Sequence, residues 1–229
     1  MSDRQALPEA LRRALEADAR PVRPLAPPPL RLVWVALWAA LVLLAVPVVF
    51  GVRHDASSLG FVSSWGAAAG ECLAGLMVVL LALREAVPGS GAGLAVRVSA
   101  LVAVPAVQAA VAVFTWLRVG MPESRFPPGG MHCLPRESAL ALPALALTVL
   151  LVARAYAVRP RWAGVLGGAG AGLLTDGVWH LVCPVCTLRH LLLWHGAATV
   201  AMVGVGFLLG VAWEHRRTRQ VGALVGERR

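Results

Sequence analysis

The sequence predicts an all-α, polytopic membrane protein with six transmembrane helices and both termini in the cytoplasm. Of its 229 residues, 58% are hydrophobic and only 14% are charged, whereas a soluble domain carries about 25% charged residues. The apolar residues also form uninterrupted blocks, each close to the ~20 residues that a helix needs to cross about 30 Å of hydrocarbon. Composition and patterning together therefore place the chain in a bilayer.

Six such blocks follow one another along the chain. The predicted spans are residues 32–51, 63–83, 96–117, 138–157, 162–183 and 191–213. They divide the protein into three parts. These are a cytoplasmic partner-binding tail with a Pro-rich spacer (1–30), a six-helix transmembrane domain (31–217) and a cytoplasmic C-terminal tail (218–229).

The distribution of arginine predicts the orientation. The chain has no lysine, so all 21 of its basic residues are arginines. With the N-terminus inside, only five of them fall in outer loops: Arg53, Arg118, Arg125, Arg136 and Arg189. Positively charged residues accumulate in cytoplasmic loops, so both termini are predicted to be cytoplasmic. The net charge of +9 then reflects topology rather than direct nucleic-acid binding.

This topology places three of the four cysteines on the outer side. Cys133 falls in the loop between the third and fourth spans, and Cys183 and Cys186 fall at the turn between the fifth and sixth. In a bacterial envelope that side is oxidising. Cys72 lies within the second span, where a small apolar side chain fills space in the bundle.

The N-terminal tail carries an amphipathic pattern. Leu7, Leu11 and Leu15 are spaced by four and form one stripe on a helix of about fourteen residues. Such a short helix is marginal alone in water and would be stabilised in a protein groove or on a membrane surface. Its mixture of Glu and Arg favours a protein partner, and a disordered tail is the alternative. The following PVRPLAPPP, residues 21–29, predicts an extended spacer.

The chain resembles the NrsF family of integral membrane anti-sigma factors, which have six helices. The tail segment EADARPVRPLAPP, residues 16–28, is similar to the segment that precedes the first helix of that family. Further on, a cysteine precedes the fourth helix (MHCLPRESALAL), a basic turn follows it (RPRWAG), and the fifth helix ends in Cys-Pro (WHLVCP). The resemblance covers most of residues 13–217.

The resemblance implies a regulator of the bacterial inner membrane rather than an enzyme, with no cofactor. In the family, the N-terminal segment holds an extracytoplasmic-function (ECF) sigma factor. Together with the amphipathic stripe, this resemblance predicts a role in sigma-factor binding for four residues here: Leu7, Leu11, Arg12 and Leu15. The outer cysteines of the family sense oxidants or thiophilic heavy metals, and the matching positions are Cys133 and Cys183. Cys186 is a candidate resolving thiol. The oligomeric state stays open.

The chain departs from the family after Cys-Pro, where CPVCTLRH creates a CxxC motif. This segment also resembles the DsbB-type quinone-linked thiol oxidases, so the alternative is a membrane thiol oxidoreductase that uses CPVC. Those enzymes have four helices and need a second cysteine pair in another outer loop. The loop between spans three and four has only Cys133.

A metal site is a further possibility that the spacing leaves open. Cys183, Cys186 and His190, joined by Cys133 or His132, are thiolate and imidazole ligands suited to a soft cation. We expect His180 and His195 to be packed or interfacial instead.

Two acidic residues, Glu71 and Asp176, lie within predicted spans, where a charge costs about 2.5–3.5 kcal/mol on insertion scales. Each is expected to be neutral, paired or facing water. They either form a polar chamber beneath the cysteines or bond neighbouring helices together.

Overall fold

Helices account for nearly all of the secondary structure in the computed structural model, which describes residues 9–18, 25–120, 132–155 and 157–226. No strand occurs among those residues, so the all-α prediction is confirmed for this part of the chain. The helices are α1 (Glu9–Asp18), α2 (Pro28–Phe50), α3 (Ala56–Leu59), α4 (Ala67–Glu85), α5 (Leu94–Val119), α6 (Cys133–Ala153), α7 (Pro160–His180), α8 (Leu188–His190) and α9 (Gly196–Gly226). One wide π turn, Val62–Gly66, leads into α4, and a second, Leu191–His195, joins α8 to α9.

Five helical segments are long and apolar enough to cross a membrane: Pro28–Phe50, Val62–Glu85, Leu94–Val119, Cys133–Ala153 and Leu188–Arg219. They match five of the six predicted spans, and the chain is accordingly a membrane protein. The fifth predicted span corresponds to α7, which has 21 residues but is not among the five segments that are apolar enough over a membrane-spanning length. Five spans are therefore confirmed by length and composition, and the sixth stays a prediction.

Helix α7 can be less apolar than a lipid-facing span because it lies at the centre of the bundle. Every residue from 166 to 180 is buried, and α7 packs mainly against α4 and α9. A helix enclosed by other helices does not need an apolar surface, because it contacts protein rather than lipid. Thr175, Asp176 and His180 can therefore lie on it.

Glycine lets the neighbouring helices approach α7 closely. A Cβ atom added at Gly168 would lie 2.1 Å from the backbone oxygen of Met202 in α9. One added at Gly170 would lie 2.7 Å from the backbone oxygen of Gly75 in α4. These contacts show that the Gly-rich segment 164–174 is a packing surface, as small residues commonly are between membrane helices.

The bundle has two distinct ends. At the end where α2 begins, the buried side chain of Arg31 donates to the carbonyl oxygens of Leu151 (3.0 Å) and Leu83 (3.3 Å), near the ends of α6 and α4. Arg97 and Glu85 form an ion pair at the same end, 3.3 Å apart. We call this the arginine end. Cationic side chains are favourable there because the last carbonyls of a helix are unpaired and partially negative.

The opposite end, which we call the cysteine end, contains the end of α2, the start of α6 and the segment from α7 to α8. The amide of Arg53, just after α2, donates to the carbonyl of Leu181, just after α7 (2.9 Å). The prediction placed Cys133 in the loop before the fourth span. It is instead the first residue of α6, which begins five residues before the predicted span. Cys133, Cys183 and Cys186 thus lie at the opposite end of the bundle from Arg31.

Three of the long helices contain an internal proline: Pro47 in α2, Pro105 in α5 and Pro143 in α6. An internal proline removes one hydrogen bond from the helix and weakens its ladder locally.

The short helix α1 confirms that the tail contains a helix, and the residues that flank it on both sides lie outside the described part of the chain. Arg12 is exposed on it and pairs with Glu9 (3.1 Å). Leu7 lies outside the described residues, and the side chains of Leu11 and Leu15 are not among those described.

Candidate functional site

The sulfur atoms of Cys133 and Cys183 lie 3.7 Å apart at the cysteine end. Cys133 begins α6, and Cys183 follows the end of α7 by three residues. Both thiols are buried, and neither is in a disulfide. The fold therefore brings together the two cysteines that sequence reasoning matched to the sensing pair of the resembled family.

Two histidines complete a compact group with these thiols. His190 Nε2 lies 3.3 Å from Cys183 Sγ. The ligand atoms of Cys133, Cys183, His190 and His195 all lie within 4.8 Å of one another. We call these four residues the cysteine–histidine cluster.

The wide turn Leu191–His195 explains why both histidines belong to the cluster. In a regular α-helix, residues five apart point to different faces, because each residue advances by about 100°. A π turn has more residues per turn and brings positions i and i+5 closer together. The rings of His190 and His195 are 5.3 Å apart, and Thr187 Oγ1 accepts from the His190 amide at the start of α8 (3.3 Å).

A chain of buried polar side chains continues from His195 into the bundle. His195 Nδ1 lies 2.7 Å from an Asp176 carboxylate oxygen. The other oxygen of Asp176 accepts from the Gln108 amide (2.8 Å), which also donates to Thr199 (2.9 Å). Asp176 thereby links α5, α7 and α9 beneath the cluster.

Two further buried carboxyl groups flank this chain. Glu137 Oε2 lies 3.4 Å from His195 Nδ1, and Glu71 lines the same small cavity as Asp176 and Gln108. The carboxylate oxygens of both glutamates have no hydrogen-bond partner among the described residues. Glu71 and Asp176 therefore line one small cavity, and Asp176 also bonds neighbouring helices, so the structure shows features of both alternatives that the sequence left open.

Cys186 belongs to a different group from Cys183. The Arg53 guanidinium pairs with the Asp55 carboxylate (2.5 and 2.8 Å) and also donates to Cys186 Sγ. The Cys186 thiol in turn donates to Asp55 (3.1 Å). The CxxC motif is thus split, with its first thiol in the cysteine–histidine cluster and its second in a loop contact.

Electrostatics keeps the Cys186 thiol neutral. Burial raises the pKa of Cys186 to about 12, with Asp55 adding to the effect and Arg53 opposing it. Burial also acts to raise the pKa of Asp55, but hydrogen bonds from Arg53 and Cys186 outweigh burial and hold that pKa below its usual value. Because the thiolate is the reactive form, Cys186 is a poor nucleophile in this arrangement.

Sequence reasoning named Cys133, Cys183, Cys186 and His190 as metal ligand candidates, with His132 as a substitute for Cys133. The structure groups Cys133, Cys183 and His190 and adds His195. Cys186 instead contacts Arg53, and the His132 side chain is exposed. His195 was expected to be packed or interfacial rather than a ligand candidate. His180 does pack between helices, where its Nε2 hydrogen-bonds with Thr115 (2.9 Å).

Two adjacent thiols beside two imidazoles can do two kinds of chemistry. They can lose two electrons and two protons to form a disulfide, or they can bind a soft cation. Both reactions would tie the start of α6 to the segment after α7.

Comparison with known proteins supports a regulatory assignment. The family model described as "Negative regulator of sigma F" matches residues 15–213, which is most of the chain. No curated protein and no solved structure matches it. The chain therefore belongs to the NrsF family, which implies that it is a negative regulator of a sigma factor.

Proposed function

We propose that the protein is an inner-membrane anti-sigma factor with both termini in the cytoplasm. Its tail (residues 1–30) sequesters an ECF sigma factor, and its membrane domain (31–217) releases that factor when Cys133 and Cys183 meet an oxidant or a thiophilic metal. Residues 218–229 form a second cytoplasmic tail. Family membership supports the regulatory role, and the concentration of arginine around one end of the bundle supports the orientation.

The single observation that carries the sensing step is the 3.7 Å separation of the Cys133 and Cys183 sulfur atoms. A disulfide has a sulfur–sulfur bond of about 2.05 Å, so the two atoms need to approach by less than about 2 Å. A two-electron oxidant, such as a peroxide, would accept the electrons while the two thiols lose their protons. The signal therefore requires a local shift of α6 against the segment after α7, not a long-distance closure of loops.

The proposal assigns the tail helix to partner binding. Leu7, Leu11 and Leu15 would lie in a groove of the sigma factor, with Arg12 at the edge of the contact. The pairing of Arg12 with Glu9 and Glu16 leaves the helix surface of mixed charge, which suits a protein partner better than an anionic membrane, since membrane-surface helices are strongly basic.

The test uses the full-length, tagged protein co-expressed with individual ECF sigma factors and purified in detergent. We expect one sigma factor to co-purify and Leu11→Glu to abolish its recovery, because a charge would enter the apolar stripe. Arg13→Ala is the matched control, since Arg13 is exposed and lies off the stripe. Equal recovery with Leu11→Glu and Arg13→Ala would contradict the assignment of the tail.

A second arm tests the sensing pair. Treatment with diamide should release the sigma factor from the wild type and from Cys186→Ser, but not from Cys133→Ser or Cys183→Ser. Oxidation of periplasmic thiols that depends on Cys183 and Cys186, with no effect on sigma-factor binding, would instead favour the thiol oxidoreductase.

A further inference from the structure

We propose that Cys133, Cys183, His190 and His195 form a tetrahedral binding site for one thiophilic divalent cation of the zinc and cadmium class. The inference deepens the proposed function, on which it depends only for its regulatory meaning, because it names the ligands and the cation at the same site. The binding itself is a property of the membrane domain.

The first support is distance. A tetrahedral cation with metal–sulfur bonds of about 2.3 Å and metal–nitrogen bonds of about 2.0–2.1 Å holds its two sulfurs about 3.8 Å apart and each sulfur about 3.5 Å from each nitrogen. Cys133 Sγ and Cys183 Sγ are separated by 3.7 Å, and Cys183 Sγ and His190 Nε2 by 3.3 Å. These two distances are close to those of an occupied site, and the other ligand atoms of the cluster lie within 4.8 Å of one another.

The second support is the orientation of His195. Its Nδ1 is paired with the Asp176 carboxylate at 2.7 Å, while its Nε2 is buried and has no hydrogen-bond partner among the described residues. Histidines that bind metals generally donate their other ring N–H to a carboxylate or carbonyl, which fixes the tautomer and makes the ligating nitrogen more basic. Asp176 is therefore a positioning residue for His195.

The third support is the net charge of the site and the preference of its ligands for soft cations. A divalent cation that displaces the two thiol protons leaves two thiolates, two neutral imidazoles and no net charge on the site. Such neutrality suits a buried position, where an uncompensated charge is costly. Sulfur and imidazole ligands select zinc or softer ions over Mg²⁺ and Ca²⁺, which take oxygen ligands.

The split of the CxxC motif defines the ligand set further. Cys186 is held by Arg53 and Asp55, so the site uses one thiol from the motif and one from the start of α6. A cation there would join the start of α6 to the loop after α7 and to the turn that leads into α9, which lie 50 or more residues further along the chain. A site built from Cys183 and Cys186 alone would leave α6 free.

The experiment uses purified full-length protein in detergent with a phosphine reductant, titrated with Co²⁺. We expect one Co²⁺ per chain, the intense visible bands of tetrahedral cobalt and a sulfur-to-cobalt charge-transfer band, all lost when Zn²⁺ or Cd²⁺ is added. X-ray absorption of the zinc form should show two sulfur ligands at about 2.3 Å and two nitrogen ligands at about 2.0–2.1 Å. Weak octahedral bands, or no binding by the wild type, would overturn the proposal.

Variants identify the ligands. Cys183→Ser and His195→Gln should abolish the tetrahedral spectrum, and Asp176→Asn should weaken binding by about 10–100-fold, as changes to such orienting partners do. Cys186→Ser is the matched control and should bind like the wild type. Loss of binding in Cys186→Ser, with binding retained in His195→Gln, would overturn the ligand set. Size-exclusion elution identical to the wild type shows that a variant is folded.

The same preparations separate this inference from the proposed function. An absent cobalt spectrum together with intact diamide-driven release of the sigma factor overturns the cation site alone. A normal spectrum with sigma-factor binding unaffected by Zn²⁺ and by diamide supports the cation site and counts against the sensing role.

Discussion

Cys133 and Cys183 are 50 positions apart in the chain, and their sulfur atoms are 3.7 Å apart in the fold. Their contact joins the first residue of α6 to the segment that follows the buried helix α7. A bond or a shared cation between them therefore acts on α6 directly. Cys186, only three residues from Cys183, takes no part in this contact because Arg53 and Asp55 hold it elsewhere.

The first prediction concerns which cysteines are joined by oxidation. Diamide should link Cys133 to Cys183, because these are the only two sulfurs in contact among the described residues. Peptide mapping by mass spectrometry without reduction detects the link. Cys183 and Cys186 fall on one tryptic peptide, so Cys186→Ser must retain the link and Cys183→Ser must lose it. A link that survives in Cys183→Ser would refute the assigned pair.

The second prediction concerns the close packing of α7 and α9. Gly168→Ala should lower the free energy of unfolding of the detergent-solubilised protein by about 1–3 kcal/mol, the typical cost of overpacking. The new methyl group would lie 2.1 Å from the Met202 carbonyl oxygen. Gly204→Ala is the control, because a Cβ there has no neighbour within 4 Å. Similar melting curves for the two variants would show that α9 does not pack on Gly168.

The third prediction concerns the ion pair beside Cys186. Asp55→Asn should destabilise the protein at pH 7 by about 1–3 kcal/mol, because it leaves the buried Arg53 guanidinium without its anion. The folded protein holds the pKa of Asp55 below its ordinary value of 3.8, so this stabilisation is complete above pH 3.8 and is lost as the pH falls through the folded value. The melting-temperature difference between wild type and variant should shrink accordingly in acid.

His54→Gln provides the control for this comparison, since His54 is exposed beside the same loop. If the difference in melting temperature between wild type and Asp55→Asn stayed constant from pH 7 to well below pH 3.8, the Asp55 carboxylate would not be the source of the stabilisation.

The fourth prediction concerns orientation in the membrane. Ser58→Cys at the cysteine end should react with an impermeant maleimide in intact cells, whereas Pro88→Cys at the arginine end should react only after lysis. Both positions are exposed, and the four native cysteines are buried and should label slowly. The reverse pattern would place the cysteine–histidine cluster on the cytoplasmic face and remove the basis for an envelope signal.

Sequence patterns were sufficient for the parts of the fold that depend on hydrophobic length. Five spans were located to within a few residues, since a run of about 20 apolar residues has few alternatives to a membrane helix. The central helix α7 was also located, but its glycines and polar residues make it less apolar than a lipid-facing span. Only the tertiary arrangement shows that α7 contacts helices on all sides.

The candidate site was less accessible from sequence. Cys133, Cys183 and His190 could be named, because thiols and imidazoles are rare in apolar chains and stand out. His195 could not be placed, because its position beside His190 depends on the π turn Leu191–His195, which has no clear signature in the residues themselves. The separation of Cys186 from Cys183 could not be predicted either, because the contact of Cys186 with Arg53 comes from a segment 133 residues away.

Helix α6 has Cys133 as its first residue and presents the Leu151 carbonyl to Arg31 close to its last. The distance between those two points is about 27 Å at 1.5 Å per residue, nearly the thickness of the hydrocarbon layer. Pro143 lies between them and leaves the Ala139 carbonyl without its helical donor, so the rod is weakest near its middle. Bending at that point would reorient the two halves of α6 relative to each other, so a displacement of the Cys133 sulfur would also move the carbonyl that holds the Arg31 guanidinium near the start of the first membrane-spanning helix.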